Sequence, residues 1–239
     1  MESGLARDTM QPMLPWTLLG SAVIPGDGGE MRLYRRGSEY SIRVGAYELM
    51  NSRVHGSEDA LAWLVCERLG RVSKQSILIG GLGMGFTLAG VLNGCNANSR
   101  VVVAELVPEV VAWNRGMMGT VSGHPLDDRR VSVVEEDVAA VMKRGRGKYD
   151  AILLDVDNGP AGLTAKANDW LYGAAGLRAA FGALRPNGIL AVWSAGPDPA
   201  FTRRLQQAGF VSEEVPVRGR AANKGSRFLI WIARRPARA

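Results

Sequence analysis

Two carboxylates and an amide sit within one short turn, Asp155-Val156-Asp157-Asn158-Gly159-Pro160. The turn follows Tyr149-Asp150-Ala151-Ile152-Leu153-Leu154, an apolar run that reads as a buried strand. In an extended stretch residues i and i+2 point the same way, so Asp155 and Asp157 face one ligand together, with the Asn158 amide beside them. Neighbouring carboxylates favour a cationic amine, and one of the two can be held partly protonated. They could also bind a cation, but no third ligand is apparent, and no metal is expected. Asp, Asn, Gly and Pro are also the commonest turn formers, so an Asx-type turn is the competing reading.

A second set of residues suits a nucleoside. Ser76-Ile77-Leu78-Ile79 runs into Gly80-Gly81-Leu82-Gly83-Met84-Gly85, and a helix is expected from Phe86. A chain that turns sharply beneath a ligand needs positions without a Cβ, which singles out Gly81, Gly83 and Gly85. The helix behind such a loop aims free N–H groups and its positive dipole end at whatever rests there. Glu105 ends the next strand, twenty residues after Gly85, where a carboxylate can accept from both hydroxyls of a ribose. After the third strand, Glu136-Asp137-Val138 places Asp137 and Val138 where an adenine amine could be met. Glu135, Glu136 and Asp137 are consecutive, so three solvated carboxylates are the plainer alternative.

Alternating elements must carry these residues. Strand-like segments at 76–80, 100–105, 131–134, 149–155 and 189–193 alternate with helical ones starting near Phe86, Pro108, Val138, Ala167 and Pro199. Segments 211–217 and 227–233 read as a closing hairpin. This spacing predicts an α/β fold with a doubly wound, mostly parallel seven-stranded sheet. Ahead of it, short extended segments at 16–19, 31–34 and 40–44 form a small β unit, too small for a core of its own. Ser57-Glu58-Asp59 reads as a cap followed by first-turn acids, before Leu61, Leu64, Val65 and Leu69 keep helical spacing up to Gly70. The expected organisation is a leader at 1–14, a β domain at 15–56 and a main Rossmann-like domain at 57–239 with a basic C-terminal tail.

The charge excess of +6 is local. Seven basic residues and no acidic one lie between Arg218 and Ala239, and without them 22 basic residues face 23 acidic ones. A solvated tail accounts for that, so nucleic acid is not the expected partner. Cys66 and Cys95 lack metal-ligand spacing and fit buried thiols in a reducing, cytoplasmic setting. No apolar run reaches the length of a membrane span, and none of the first 14 residues forms a signal-peptide core.

Taken together, Ile77 to Gly85, Glu105, Asp137, and Tyr149 to Asp155 followed by Asp157 and Gly159-Pro160-Ala161 resemble the spermidine synthase family. Its members are aminopropyltransferases on the class I S-adenosylmethionine-dependent methyltransferase fold, with a small N-terminal β domain. The resemblance spans about 31–233 and implies a homodimer paired through the N-terminal region. It implies that Glu105 holds the ribose and Asp137 the adenine of S-adenosylmethionine or its decarboxylated form. Asp155 would deprotonate the attacking amine, Asp157 would position it, and Tyr47 and His55 would supply lid and substrate contacts. His55, the lone histidine of its segment, also fits a structural hydrogen-bonder. Two departures stand out: Met84 occupies the place of the family's loop aspartate, and the acidic turn is one residue shorter than the usual Asp-Ser-Ser-Asp-Pro. On these grounds the expected activity is methyl transfer from S-adenosylmethionine to a small amine. Aminopropyl transfer to a polyamine is the alternative, and an adenosyl-binding protein without turnover is a second one.

Overall fold

The computed structural model describes residues 14–26, 29–70, 74–156, 159–160, 170–220 and 224–237. The chain begins with an antiparallel meander of four strands, β1 (Thr17–Val23), β2 (Glu30–Arg36), β3 (Glu39–Val44) and β4 (Tyr47–Asn51), paired in that order. Alternation turns Leu33 and Ile42 inward, and the register sets them opposite each other. Strand β4 is an addition to the expected three. Its run Tyr47-Glu48-Leu49-Met50 lacks apolar/polar alternation, so only backbone pairing with β3 reveals it.

The main sheet contains β5 (Ser76–Gly80), β6 (Arg100–Ala104), β7 (Val131–Val134), β8 (Tyr149–Leu154), β9 (Leu184–Ser194), β10 (Val211–Arg220) and β11 (Lys224–Arg234). Its order is β10-β11-β9-β8-β5-β6-β7, with β7, β6, β5, β8 and β9 parallel and the β10–β11 hairpin antiparallel. This is the seven-stranded, mostly parallel sheet that the segment spacing predicts.

Both faces of the sheet are covered, so its central strands read as unbroken apolar runs. Ile77 and Ile79 face α1 (Gly56–Leu69), α2 (Phe86–Gly94), α3 (Pro108–Arg115) and the N-terminal meander. Leu78 faces the opposite way, toward α4 (Val138–Arg144), α5 (Ala174–Ala183) and α6 (Pro199–Gln207). Each such side chain contributes roughly 1.5–3 kcal/mol on leaving water. The meander has no core of its own: Leu33, Tyr40 and Ile42 belong to the same buried cluster as Ile77 and Ile79. The Tyr40 hydroxyl also donates to the Met117 carbonyl at 2.7 Å, tying the two sheets together.

Several boundaries differ from the sequence reading. Helix α1 starts at Gly56, with His55 in the cap position; Ser57 lies inside the helix and its hydroxyl donates to Glu58 instead of capping. Helix α5 ends at Ala183, and β9 begins at Leu184 rather than 189, because Leu184 already pairs with Tyr149. The pairing then shifts to Ala151–Ile189 through an irregularity that includes Asn187 at φ +64°. Helix expected from Ala167 lies up to 169 outside the described residues. The basic C-terminal segment is no tail through Arg235. It contains all of β11, and the Arg235 guanidinium donates to the carbonyls of Phe181 and Leu184 while stacking on the Phe181 ring. No described helix is long and apolar enough to cross a membrane.

Candidate functional site

The parallel strands end side by side, and their last hydrogen bonds shape a cradle. Gly81 donates its N–H to the Ala104 carbonyl at 2.9 Å, and Asp155 donates its own to Gly80 at 3.0 Å. The Gly81 backbone lies at φ +88°, and a Cβ there would stand 2.4 Å from the Asp155 carbonyl oxygen. Only glycine fits. Above the loop the meander contributes Met50, whose sulfur lies 2.8 Å from the place a Cβ on Gly83 would take.

Between loop and meander lies a cavity of about 230 Å³, several times the ~30 Å³ share of a water molecule and so ligand-sized. Gly81, Gly83, Glu105, Asp137 and Val138 line one side of it. Met31, Ile42, Leu49 and Met50 form an apolar wall from the meander. Glu58, Asp155 and Trp193 close the end beside β8 and β9.

Glu105 is buried, and both of its oxygens accept backbone N–H groups, Oε2 from Leu82 at 2.8 Å and Oε1 from Val107 at 2.9 Å. The carboxylate therefore braces the glycine loop against the turn after β6. The N–H groups of Leu106 and Gly83 also act on the carboxylate, which faces the cavity. Burial pushes its carboxyl above the usual range, and the backbone donors pull it back in part. Asp137 is the N-cap of α4, its Oδ1 accepting from the Ala139 N–H at 2.8 Å.

Asp155, just after β8, is partly buried, and its Oδ2 accepts from the Thr87 hydroxyl at 2.6 Å, in the first turn of α2. Burial pushes its carboxyl up, while the Thr87 bond draws it down. A fourth carboxylate lining the cavity is Glu58, which the sequence reading treats as a plain first-turn acid. It is buried on α1, and its carboxyl is pushed up to about 7, first by burial and then by repulsion from Asp155. Burial thus disfavours the charged form of both carboxyls, and the nearby Asp155 adds to that at Glu58. Of the acidic pair expected from sequence, Asp155 lines the cavity, while Asp157 and its neighbour Asn158 lie outside the described residues.

Tyr47 and His55 do not line this cavity. Tyr47 is 71% exposed on β4. The His55 ring stacks on Phe86 at 4.1 Å, with Nδ1 2.8 Å from Asp59 Oδ2, a structural use of the histidine. Gly85 also lies behind the loop, as the left-handed N-cap of α2. Met84 is fully buried in the core and contributes nothing polar to the cavity. Asn114, unflagged by sequence, is buried on α3 and donates Nδ2 to the Gly83 carbonyl at 2.8 Å, holding the loop from below. Among the described residues no His, Cys, Asp and Glu cluster could hold a metal ion.

This cavity lies in a chain with recognisable relatives. At 32% identity over 122 residues the chain matches polyamine aminopropyltransferase 2 of Pseudomonas aeruginosa, covering 49% of this chain and 33% of that protein. The chain thus spans about a third of the length of the curated relative it matches. Its fold is similar to that of the spermidine synthase from Thermotoga maritima, with a TM-score of 0.72 at 16% identity over 92% of this chain and 73% of that one. A spermidine synthase in complex with the transition state analogue AdoDATO gives 0.70 at 16% identity, over 92% and 73%. At such identities the structures speak for the fold alone. The spermine/spermidine synthase domain model matches residues 67–205, more than half of the 239, and the chain belongs to that family.

Proposed function

We propose that this chain is an aminopropyltransferase, moving the aminopropyl group of decarboxylated S-adenosylmethionine onto a small polyamine-type amine. The observation that carries the reading is the pair of carboxyls, buried Glu58 and partly buried Asp155, at one end of a cavity whose other end suits a nucleoside. Family membership and the name of the Pseudomonas relative point the same way. The cradle fits an adenosyl group: a glycine loop that a Cβ would fill, the Glu105 carboxylate lining the cavity, and the α4 cap at Asp137. Bound there, the donor would supply a carbon activated by a sulfonium.

The chain's own residues would do the rest. An acceptor amine arrives protonated, and a proton-sharing carboxyl pair attracts it and takes the proton that must leave before nitrogen can attack. Thr87 holds Asp155 in place for that exchange. Glu58 also supplies a carboxyl that Met84 cannot, which suits the ammonium of an aminopropyl chain. The apolar meander wall keeps water from the reacting atoms. A second reading, methyl transfer, draws on Met84, since a methyl group needs no carboxylate on the loop. Incubation with decarboxylated S-adenosylmethionine and putrescine, and separately with S-adenosylmethionine, followed by mass spectrometry, separates the two by the mass added. Product from neither donor would sink both.

A further inference from the structure

Outside the C-terminal segment the chain carries nearly equal numbers of acids and bases, yet the fold sorts them. At the end of the sheet opposite the cavity is a groove lined by Lys74, Arg100, Arg129, Arg130, Arg144 and Lys148 with Arg185, and, among the described residues, by no carboxylate side chain. Arg130, Arg144 and Arg185 are neutralised from behind by Asp128, Glu136 and Asp150. Lys74, Arg100, Arg129 and Lys148 are exposed and have no ion pair among the described residues.

Their placement is set by the sheet. Lys148 precedes β8, Lys74 precedes β5, Arg100 opens β6 and Arg129 precedes β7, and those four strands are neighbours in that order. Parallel strands lie about 4.8 Å apart, so four entries form a row of cations about 14 Å long. We propose that this row binds a linear phosphate polyanion, a single nucleic-acid strand or an inorganic polyphosphate chain, through its phosphates alone. Successive charges on such a chain repeat at a few ångströms, about 3.4 Å of axial rise per phosphate in one strand of a duplex, so several fit along the row. The floor of the groove is Val102, Val134 and Val141, and its one aromatic residue, Tyr149, is buried. Without an exposed ring there is no platform for stacking bases, so sequence is not read.

The test is fluorescence anisotropy of a labelled oligothymidylate against the whole chain, titrated with salt. Four phosphate contacts on a single strand predict a log–log salt slope of about −2.8, or about fifty-fold weaker binding between ~50 and ~200 mM salt. Long-chain inorganic polyphosphate should displace the oligonucleotide, and orthophosphate at equal total phosphate should not. If polyphosphate binds far more tightly, it is the source the row serves; if the oligonucleotide does, nucleic acid is. The exposed double variant R100E/R129E should cut the slope to about −1.4, about sevenfold over the same salt range, while its melting temperature and its affinity for an adenosyl thioether stay unchanged. No anisotropy change at low salt, or an unaltered slope in the variant, would each overturn the proposal. Because adenosyl binding is read separately, failure here leaves the transferase reading intact.

Discussion

Replacing Glu105 by Gln keeps the shape of the side chain and removes one acceptor. Two buried backbone N–H groups, of Leu82 and Val107, point at the two carboxylate oxygens. A glutamine offers one oxygen and one NH₂, so one N–H must face another donor. Leaving a buried donor unsatisfied costs about 1–3 kcal/mol, and exchanging a charged for a neutral acceptor weakens the surviving bond by about 1 kcal/mol. Relief of the buried charge, whose desolvation raises this carboxyl's pKa, offsets part of that. The expected net is about 2 kcal/mol, and at about 2–4 °C per kcal/mol for a chain of this size the melting temperature should fall by about 4–8 °C. Glu105→Ala leaves both N–H groups without an acceptor and should cost more, about 2–6 kcal/mol. Thermal melts followed by tryptophan fluorescence, with calorimetric titration of an adenosyl thioether, measure both effects. If the two variants melt like the parent while binding falls, the carboxylate serves only the ligand, and its role as a brace for the loop is refuted. An Ala variant more stable than the Gln one would refute it as well.

Glu58 makes a prediction in pH. Its folded carboxyl sits near 7 against an ordinary 4.5, so between those values the folded chain binds more protons than the unfolded one. Stability should therefore fall as pH rises from about 4.5 to about 7 and level off above. Urea melts across that range should show the slope, and Glu58→Gln should flatten it; an unchanged slope in the variant would assign it to other groups. Asp155→Asn keeps an acceptor for the Thr87 hydroxyl and removes the charge that repels Glu58. Its stability profile should shift to lower pH and its turnover with any amine should collapse, with adenosyl affinity retained within a few-fold; full turnover would remove Asp155 from the mechanism. Gly81→Ala forces a Cβ against the Asp155 carbonyl at a φ of +88°. The left-handed backbone alone costs about 1–2 kcal/mol, so both melting temperature and adenosyl affinity should drop, and unaltered titration curves would argue against the cradle.

Which parts of this molecule could be read from its residues follows from what each signal depends on. Strands such as Val101-Val102-Val103 announce themselves because both faces are buried and every position is apolar. Gly81 and Glu105 are legible by spacing, since a cradle and the next strand end stand at fixed distances along the chain. What the Glu105 oxygens bond to was not, because that depends on the path of the Leu82 and Val107 backbone. Glu58 was hidden by a plausible local explanation, a favourable charge in a first helical turn. Its spacing to Leu61, Ala62 and Val65 nonetheless puts it on the buried face of α1, and that was the available signal. Met84 was visible as a departure, but its burial in the core was not. The four unpaired cations are scattered over 75 positions of sequence, Lys74 to Lys148, and become neighbours only when parallel pairing aligns the strand entries.

The meander wall of the cavity leaves unequal room for change. Ile42 is at once lining and shared core, so trimming it to alter what the cavity admits would also loosen the joint between the two sheets. Leu49 and Met50 line the same wall but are only partly buried, and a thioether side chain adapts readily to altered neighbours. Drift in acceptor preference among related chains can therefore run through these two positions at little cost to folding, while Ile42 stays anchored.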